Sequence, residues 1–372
     1  MKLAARIRRT GVVFWGFACV SLSSASAEWE PPLSKPISNQ SGELPASGAV
    51  AVLAFPDLTD PARAAPPSAD THRQGSPGRR VPIKLHLPTR GGPFPVIIVS
   101  HGAGGTWDTH FAQAQDLAAH GYAVACIEHV GSNLERLKRG LRPIKNLLEM
   151  TRDADEVLTR PRDASFVLDR LAEWNNTHPR LKGRFDLSHV GMMGHSFGAY
   201  TTMVVCGMRP ALDWLSPAVK SGKGLGPDLA DPRVDCGVAL SPQSPGEPFF
   251  LAESYASLRV PLLGITGSKD DQQAGRTAME RKTSFALWPK GEHRLIWLAN
   301  ARHADFSDPS GSTDRALPSP TRSDAQPVIR EATRAFFDLY LKANSTAADR
   351  LTVRGLRPYL HGNVDAVELL VK

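Results

Sequence analysis

The sequence predicts an α/β domain built on a doubly wound, mostly parallel sheet. Two observations predict it. Apolar runs of five to eight residues, bounded by glycine and proline, recur along the chain, as in parallel strands buried on both faces. They also alternate with helix-like stretches, and strand–helix alternation on this scale implies helices on both sides of one sheet.

In order, a short run from Ala49 to Phe55 and "VPIKLHLP" open the pattern, separated by the turn-rich "DPARAAPPSADTHRQGSPGRR". "PVIIVSHG" precedes the helix-like "DTHFAQAQDLAAHG", and "YAVACIEH" precedes a long basic excursion. "SHVGMMGHS" leads into "FGAYTTMVVCGM", and "CGVALSP" into a loop. "PLLGITG" is followed by "DQQAGRTAMERK", and "HRLIWLAN" by a last helix near Gln326 to Leu341. No repeat is visible. The 372 residues divide into a signal peptide (1–27), a flexible leader (28–48), a catalytic domain (49–345) and a C-terminal tail (346–372) that adds an edge element.

The signal peptide rests on a basic start, the apolar run "GVVFWGFACVSL" and the small residues Ala25-Ser26-Ala27, which predict cleavage before Glu28 and export to the periplasm or medium. That run is too short for the ~20 residues of a membrane-spanning helix. Lys2, Arg6, Arg8 and Arg9 account for four of the net seven positive charges, and the rest is too weakly basic to argue for nucleic acid. Beyond Cys19 the cysteines are Cys126, Cys206 and Cys236. Cys126 reads as a strand residue, while Cys206 and Cys236 are either a bridge or two core thiols. No spacing resembles a zinc site, and neither metal nor cofactor is expected.

Gly194-His195-Ser196-Phe197-Gly198 carries the chemistry. A serine between two glycines, after a strand-like run and before a helix-like one, matches a nucleophile elbow, whose strained turn leaves no room for flanking side chains. A serine hydroxyl needs a base. His195 adjoins the serine and should point away. His303, in "LANARHADFSD", follows the last expected strand of the catalytic domain and is the candidate. An acid must orient that imidazole. "PLLGITGSKDD" ends in Asp270 and Asp271, and the Gly-x-x-Asp turn from Gly267 favours Asp270, leaving Asp271 to start a helix. The chain order Ser196…Asp270…His303 is that of the α/β hydrolases. The glycine-rich "SHGAGG" lets backbone N–H groups approach a ligand closely. The Ala103 N–H, paired with that of Phe197, is the expected oxyanion hole. Trp107, Phe249, Phe250 and Phe306, with Phe197, are candidate acyl-pocket residues.

"SHGAGG", "GHSFGAYTT", "ALSPQSPGE", "GSKDD" and "HADFSD", in this order and with "RPRDASFVLDRL" before the nucleophile strand, resemble predicted dienelactone hydrolases. They are also similar to platelet-activating factor acetylhydrolases and bacterial polyester hydrolases. The likeness runs from about Val81 to Tyr340. It implies an α/β-hydrolase fold and carboxylic ester hydrolysis through an acyl-enzyme, with Ser196, Asp270 and His303 as triad and Ala103 and Phe197 as oxyanion donors. The chain departs from true dienelactone hydrolases, whose nucleophile is cysteine, in carrying serine.

The expected activity is that of an exported serine esterase on small or short-chain esters. One rival is a phospholipid-directed lipase resembling platelet-activating factor acetylhydrolase; another is a non-catalytic binding protein on the same scaffold. Leu134, Leu137, Leu141, Ile144 and Leu148 recur at helical spacing beside Arg136, Lys138, Arg139, Arg142 and Lys145. Residues 131–160 therefore read as a lid, a surface making transient membrane contact, or a helix pair with a solvated basic face.

Overall fold

The computed structural model describes residues 48–63, 77–219, 222–271, 277–312 and 318–372. The expected signal peptide and all but the last residue of the expected leader lie outside them.

The chain forms β1 (Val50–Phe55), β2 (Thr59–Asp60), β3 (Arg79–Arg80), β4 (Ile83–Pro88), β5 (Phe94–Ser100), α1 (Phe111–Ala119) and β6 (Ala123–Ile127). There follow α2 (Leu134–Leu137), α3 (Pro143–Arg152), α4 (Ala154–Thr177), β7 (Phe185–His195), α5 (Phe197–Val205), β8 (Cys236–Leu240) and β9 (Leu262–Lys269). The remainder is α6 (Ala278–Ser284), β10 (Arg294–Arg302), α7 (Arg322–Leu341), α8 (Ala347–Arg350), α9 (Val353–Leu356) and β11 (Val367–Val371). Among the described residues nine strands make the main sheet, in the order β1-β4-β6-β5-β7-β8-β9-β10-β11, while β2 and β3 pair separately. The six central strands are mutually parallel. β4 runs antiparallel to β6, β1 to β4, and β11 to β10.

The continuous apolar strands have the predicted cause. Along β5, Val96 and Ile98 join the core under α4 and α5, whereas Ile97 and Val99 join the core under α1 and α7. Each face of β5 thus meets its own helix layer, and Val96 to Val99 are buried on both sides. The last long helix begins at Arg322, four residues ahead of its expected start.

Residues 131–160 differ from one amphipathic stripe. Gly140 takes φ 63°, a left-handed conformation open to glycine, and splits the segment into α2 and α3. The repeat therefore does not stay on one side, and Ile144 is 65% exposed. α2 is seated on the glycine-rich loop after β5: the Leu134 N–H donates to the Gly105 carbonyl at 3.0 Å. The Leu137 side chain lies where a β-carbon on Gly104 would stand. Cys126, Cys206 and Cys236 are all buried thiols, so the bridge alternative is not formed. No helix of the described residues is long and apolar enough to cross a membrane.

Candidate active site

In an open parallel sheet, groups at the carboxyl ends of the strands converge in one crevice. Ser196 follows β7, Asp270 follows β9, His303 follows β10, and the Gly102–Gly105 loop follows β5. Ser196 has φ 57° and ψ −113°, the strained turn that the elbow motif predicts. The glycines beside it are obligatory. A β-carbon on Gly194 would stand 2.4 Å from the Gly198 carbonyl oxygen and 2.7 Å from that of Ser100.

His303 Nε2 lies 3.0 Å from Ser196 Oγ, and His303 Nδ1 lies 2.7 Å from Asp270 Oδ1. Both contacts are within the range for proton relay. Asp270 is fully buried, and its N–H donates to the Gly267 carbonyl at 3.1 Å, closing the turn read from Gly-x-x-Asp. Burial alone would raise its pKa. The charges of Arg281 and His303, with hydrogen bonds from His303 and Thr266, outweigh burial and leave it below the ordinary carboxylate range. Asp271 instead accepts the Ala278 N–H at 2.8 Å, while Thr277 is the N-cap of α6.

Among the described residues neither the Ala103 N–H nor the Phe197 N–H bonds to another protein group. Phe197 opens α5, where a first-turn N–H has no intrahelical partner. His195 lies behind His303, with ring centroids 4.7 Å apart. Burial first, then His303, keeps it neutral, with its pKa well below the usual imidazole value.

The aromatic candidates divide. Phe197 and Phe249 stack at 5.1 Å, and Phe249 stacks on Tyr200 at 4.5 Å. Phe250 and Phe306 are completely buried, so they are core side chains and do not line an open acyl pocket. Trp107 packs toward the α1 side under the Lys84 ammonium, 4.9 Å from its ring. What drew these residues to notice, aromatic character near the motifs, reports packing as readily as binding.

Sequence reasoning missed several supporting residues. Gln243 Nε2 donates to the Ser196 carbonyl at 2.8 Å, and Tyr255 donates to the Gln243 carbonyl at 2.6 Å. Thr266 Oγ1 donates to Asp270 Oδ2 at 2.7 Å. Buried Arg281 donates to the carbonyls of Asp270, Ser241 and Pro242, fastening the loop after β8 to the acid. A signal existed for Gln243, which lies within the quoted "ALSPQSPGE". Arg281 carried none, because nothing in a helix where Glu280, Arg281 and Lys282 adjoin marks which charged side chain turns inward.

Over 86% of this chain and 95% of that one, the structure matches the ferulic acid esterase from Streptomyces cinnamoneus, with a TM-score of 0.55 and 20% identity. The fold is that of the α/β hydrolases. Residues 79–133, spanning β3, the Gly102–Gly105 loop and the approach to α2, match the family profile of platelet-activating factor acetylhydrolase, isoform II. Similarity over longer stretches points the same way. Platelet-activating factor acetylhydrolase of Cavia porcellus is 26% identical over 296 residues, 70% of this chain and 61% of that protein. The enzyme of Bos taurus is 24% identical over 270 residues, 62% of this chain and 52% of that protein. The chain thus spans between about half and three-fifths of the length of these relatives.

Proposed function

We propose that the chain is an exported serine carboxylic ester hydrolase acting through an acyl-enzyme on small or short-chain esters. The observation that carries this reading is the unbroken relay from Asp270 through His303 to Ser196 Oγ, at 2.7 and 3.0 Å. Ser196 Oγ attacks the ester carbonyl carbon while its proton passes to His303 Nε2. The N–H groups of Ala103 and Phe197 hold the oxygen that becomes negative, a donor of this kind being worth ~3 kcal/mol. The carbon–oxygen bond then breaks, and the departing alcohol takes the proton from Nε2. Water next gives a proton to Nε2 and adds to the acyl carbon; as the acid leaves, the proton returns to Ser196 Oγ. Asp270 holds the imidazole with its hydrogen on Nδ1 and stabilises the imidazolium. Export rests on the basic start, apolar run and Ala25-Ser26-Ala27.

A second reading, a phospholipid-directed lipase, is supported by the likeness to platelet-activating factor acetylhydrolases. It is also supported by Lys138, Arg139, Arg142 and Lys145, exposed around Ile144. Binding to anionic vesicles that weakens steeply with salt is expected under it.

The deciding experiment is a series of p-nitrophenyl esters from acetate to palmitate, run on wild type and Ser196→Ala. The variant is expected to lose at least about a thousandfold in kcat. Preference for long acyl chains moves the assignment to the lipase. A wild-type protein inert on the whole series, and unlabelled at Ser196 by an organophosphonate, leaves only a binding scaffold.

A further inference from the structure

Arg160, on α4, is completely buried, and among the described residues no carboxylate pairs with it. Burial pulls its pKa down to about 9, so it remains a cation at neutral pH. A buried guanidinium without an ion-pair partner is costly to fold around. What it touches explains its position. One arm donates to the His101 carbonyl and, at 3.2 Å, to Ser100 Oγ; the other donates to Ser132 Oγ at 3.1 Å. The guanidinium plane lies 4.1 Å from the ring centroid of Phe197. One side chain therefore grips the strand end that starts the oxyanion loop, the residue whose carbonyl takes the Gly104 N–H at 2.8 Å, and the residue supplying the second oxyanion donor.

His101 completes the device. Its Nε2 receives the His129 backbone N–H at 3.0 Å, so the imidazole hydrogen sits on Nδ1. Nδ1 donates to the Gly102 carbonyl at 2.6 Å. That carbonyl belongs to the same peptide group as the Ala103 N–H, and a donor on the carbonyl polarises the N–H outward. His129 is held in turn by Asp163, with Nδ1 to Oδ2 at 2.8 Å. Arg63 and Arg79 bind the same Asp163, and Arg79 also binds Glu156. Arg63 also pairs with Asp60 at 2.5 Å, so three arginines face three carboxylates in this group, and among them it is the Arg160 cation that has no ion-pair partner.

We propose that Arg160 is a positioning residue of the esterase site, clamping both oxyanion donors and supplying a fixed positive charge behind them. This rests on the esterase reading. Preorganised charge of this kind acts on the transition state and not on the bound ester. The test is Arg160→Met and Arg160→Lys, each corrected for its fraction of sites titrated by an organophosphonate, so that partial misfolding does not count. Per titrated site, Arg160→Met is expected to lower kcat on p-nitrophenyl acetate ten- to hundredfold with KM within about threefold. Affinity for a trifluoromethyl ketone, which forms an oxyanion on Ser196, should weaken by the same factor as kcat. Arg160→Lys keeps the charge without the fork and should fall between; it also serves where the Met variant does not fold. A titrated variant with kcat and ketone affinity within twofold of an active wild type overturns the clamp alone. An inert wild-type protein overturns both the clamp and the esterase assignment.

Discussion

Gly198 lies directly against the carbonyl of Ser100: a β-carbon placed on it would stand 1.9 Å from that oxygen. The first turn of α5 and the end of β5 therefore approach as closely as backbone allows, and this approach sets the Gly102–Gly105 loop beside Ser196. Gly198→Ala must push the two apart, and the obstacle is backbone with no rotamer to yield. We expect a loss of about 3 kcal/mol in stability and loss of most activity, read from urea unfolding midpoints beside ester turnover. An alanine variant as stable and active as wild type would show that this contact has slack.

Asp270 and Asp271 are adjacent in sequence and meet different partners, His303 Nδ1 and the Ala278 N–H. Asp270→Asn should lower kcat by roughly 10⁴-fold, because an amide turned toward Nδ1 favours the wrong imidazole tautomer. Asp271→Asn keeps an oxygen for the Ala278 N–H and should leave kcat within about twofold. Equal losses in the two variants would contradict the assignment.

Among the described residues six histidines are buried with lowered pKa values, burial being the first cause in each. His86 and His129 are brought to about 3 and His110 and His293 to about 4, with His101 and His195 also well below the unfolded value of 6.5. On unfolding below pH 6.5 each takes up a proton that the native state refuses. Stability is therefore constant above that pH on their account and falls as pH drops from 6.5 toward 4. The slope is about 1.4 kcal/mol per pH unit for each histidine. Asp163, whose pKa is lowered, adds stability that disappears only at still lower pH. Thermal midpoints at pH 7.5, 6.5, 5.5 and 4.5 should decline progressively below 6.5, and a flat profile to pH 5 would be incompatible with neutral buried imidazoles.

Burial raises the thiol pKa of Cys126 and Cys236 and pushes that of Cys206 up to about 12. None should react with a thiol reagent at neutral pH until denaturant is added, when all three should label. Mass mapping of the modified peptides checks this. Labelling of a native thiol, or an oxidised Cys206–Cys236 pair in the purified protein, would go against it.

The fold was legible because its signal is local and repeated. Val96 to Val99 read as a strand buried on both sides, and two separate helix layers do cover alternate residues. The candidate relay was legible for a different reason. A nucleophile elbow constrains its own neighbours, so Gly194, Ser196 and Gly198 announce themselves, and chain order then narrows the acid and the base. The aromatic candidates were poorly legible, since Phe250 and Phe306 have the composition of a pocket and the burial of a core. The basic segment left three readings open, and the left-handed Gly140 divides it into separate helices with Lys138, Arg139, Arg142 and Lys145 exposed.

The sequence by itself determined the strand–helix alternation, the tight turn at Ser196, and the order in which serine, acid and histidine arrive at the sheet. Only tertiary structure decided which charges are buried together. Arg160 reaches His101, Ser132 and Phe197 across distant parts of the chain, and Arg281 reaches Asp270 from the helix that follows it. Such partnerships depend on desolvation, which a side chain feels only when the folded chain removes water from around it.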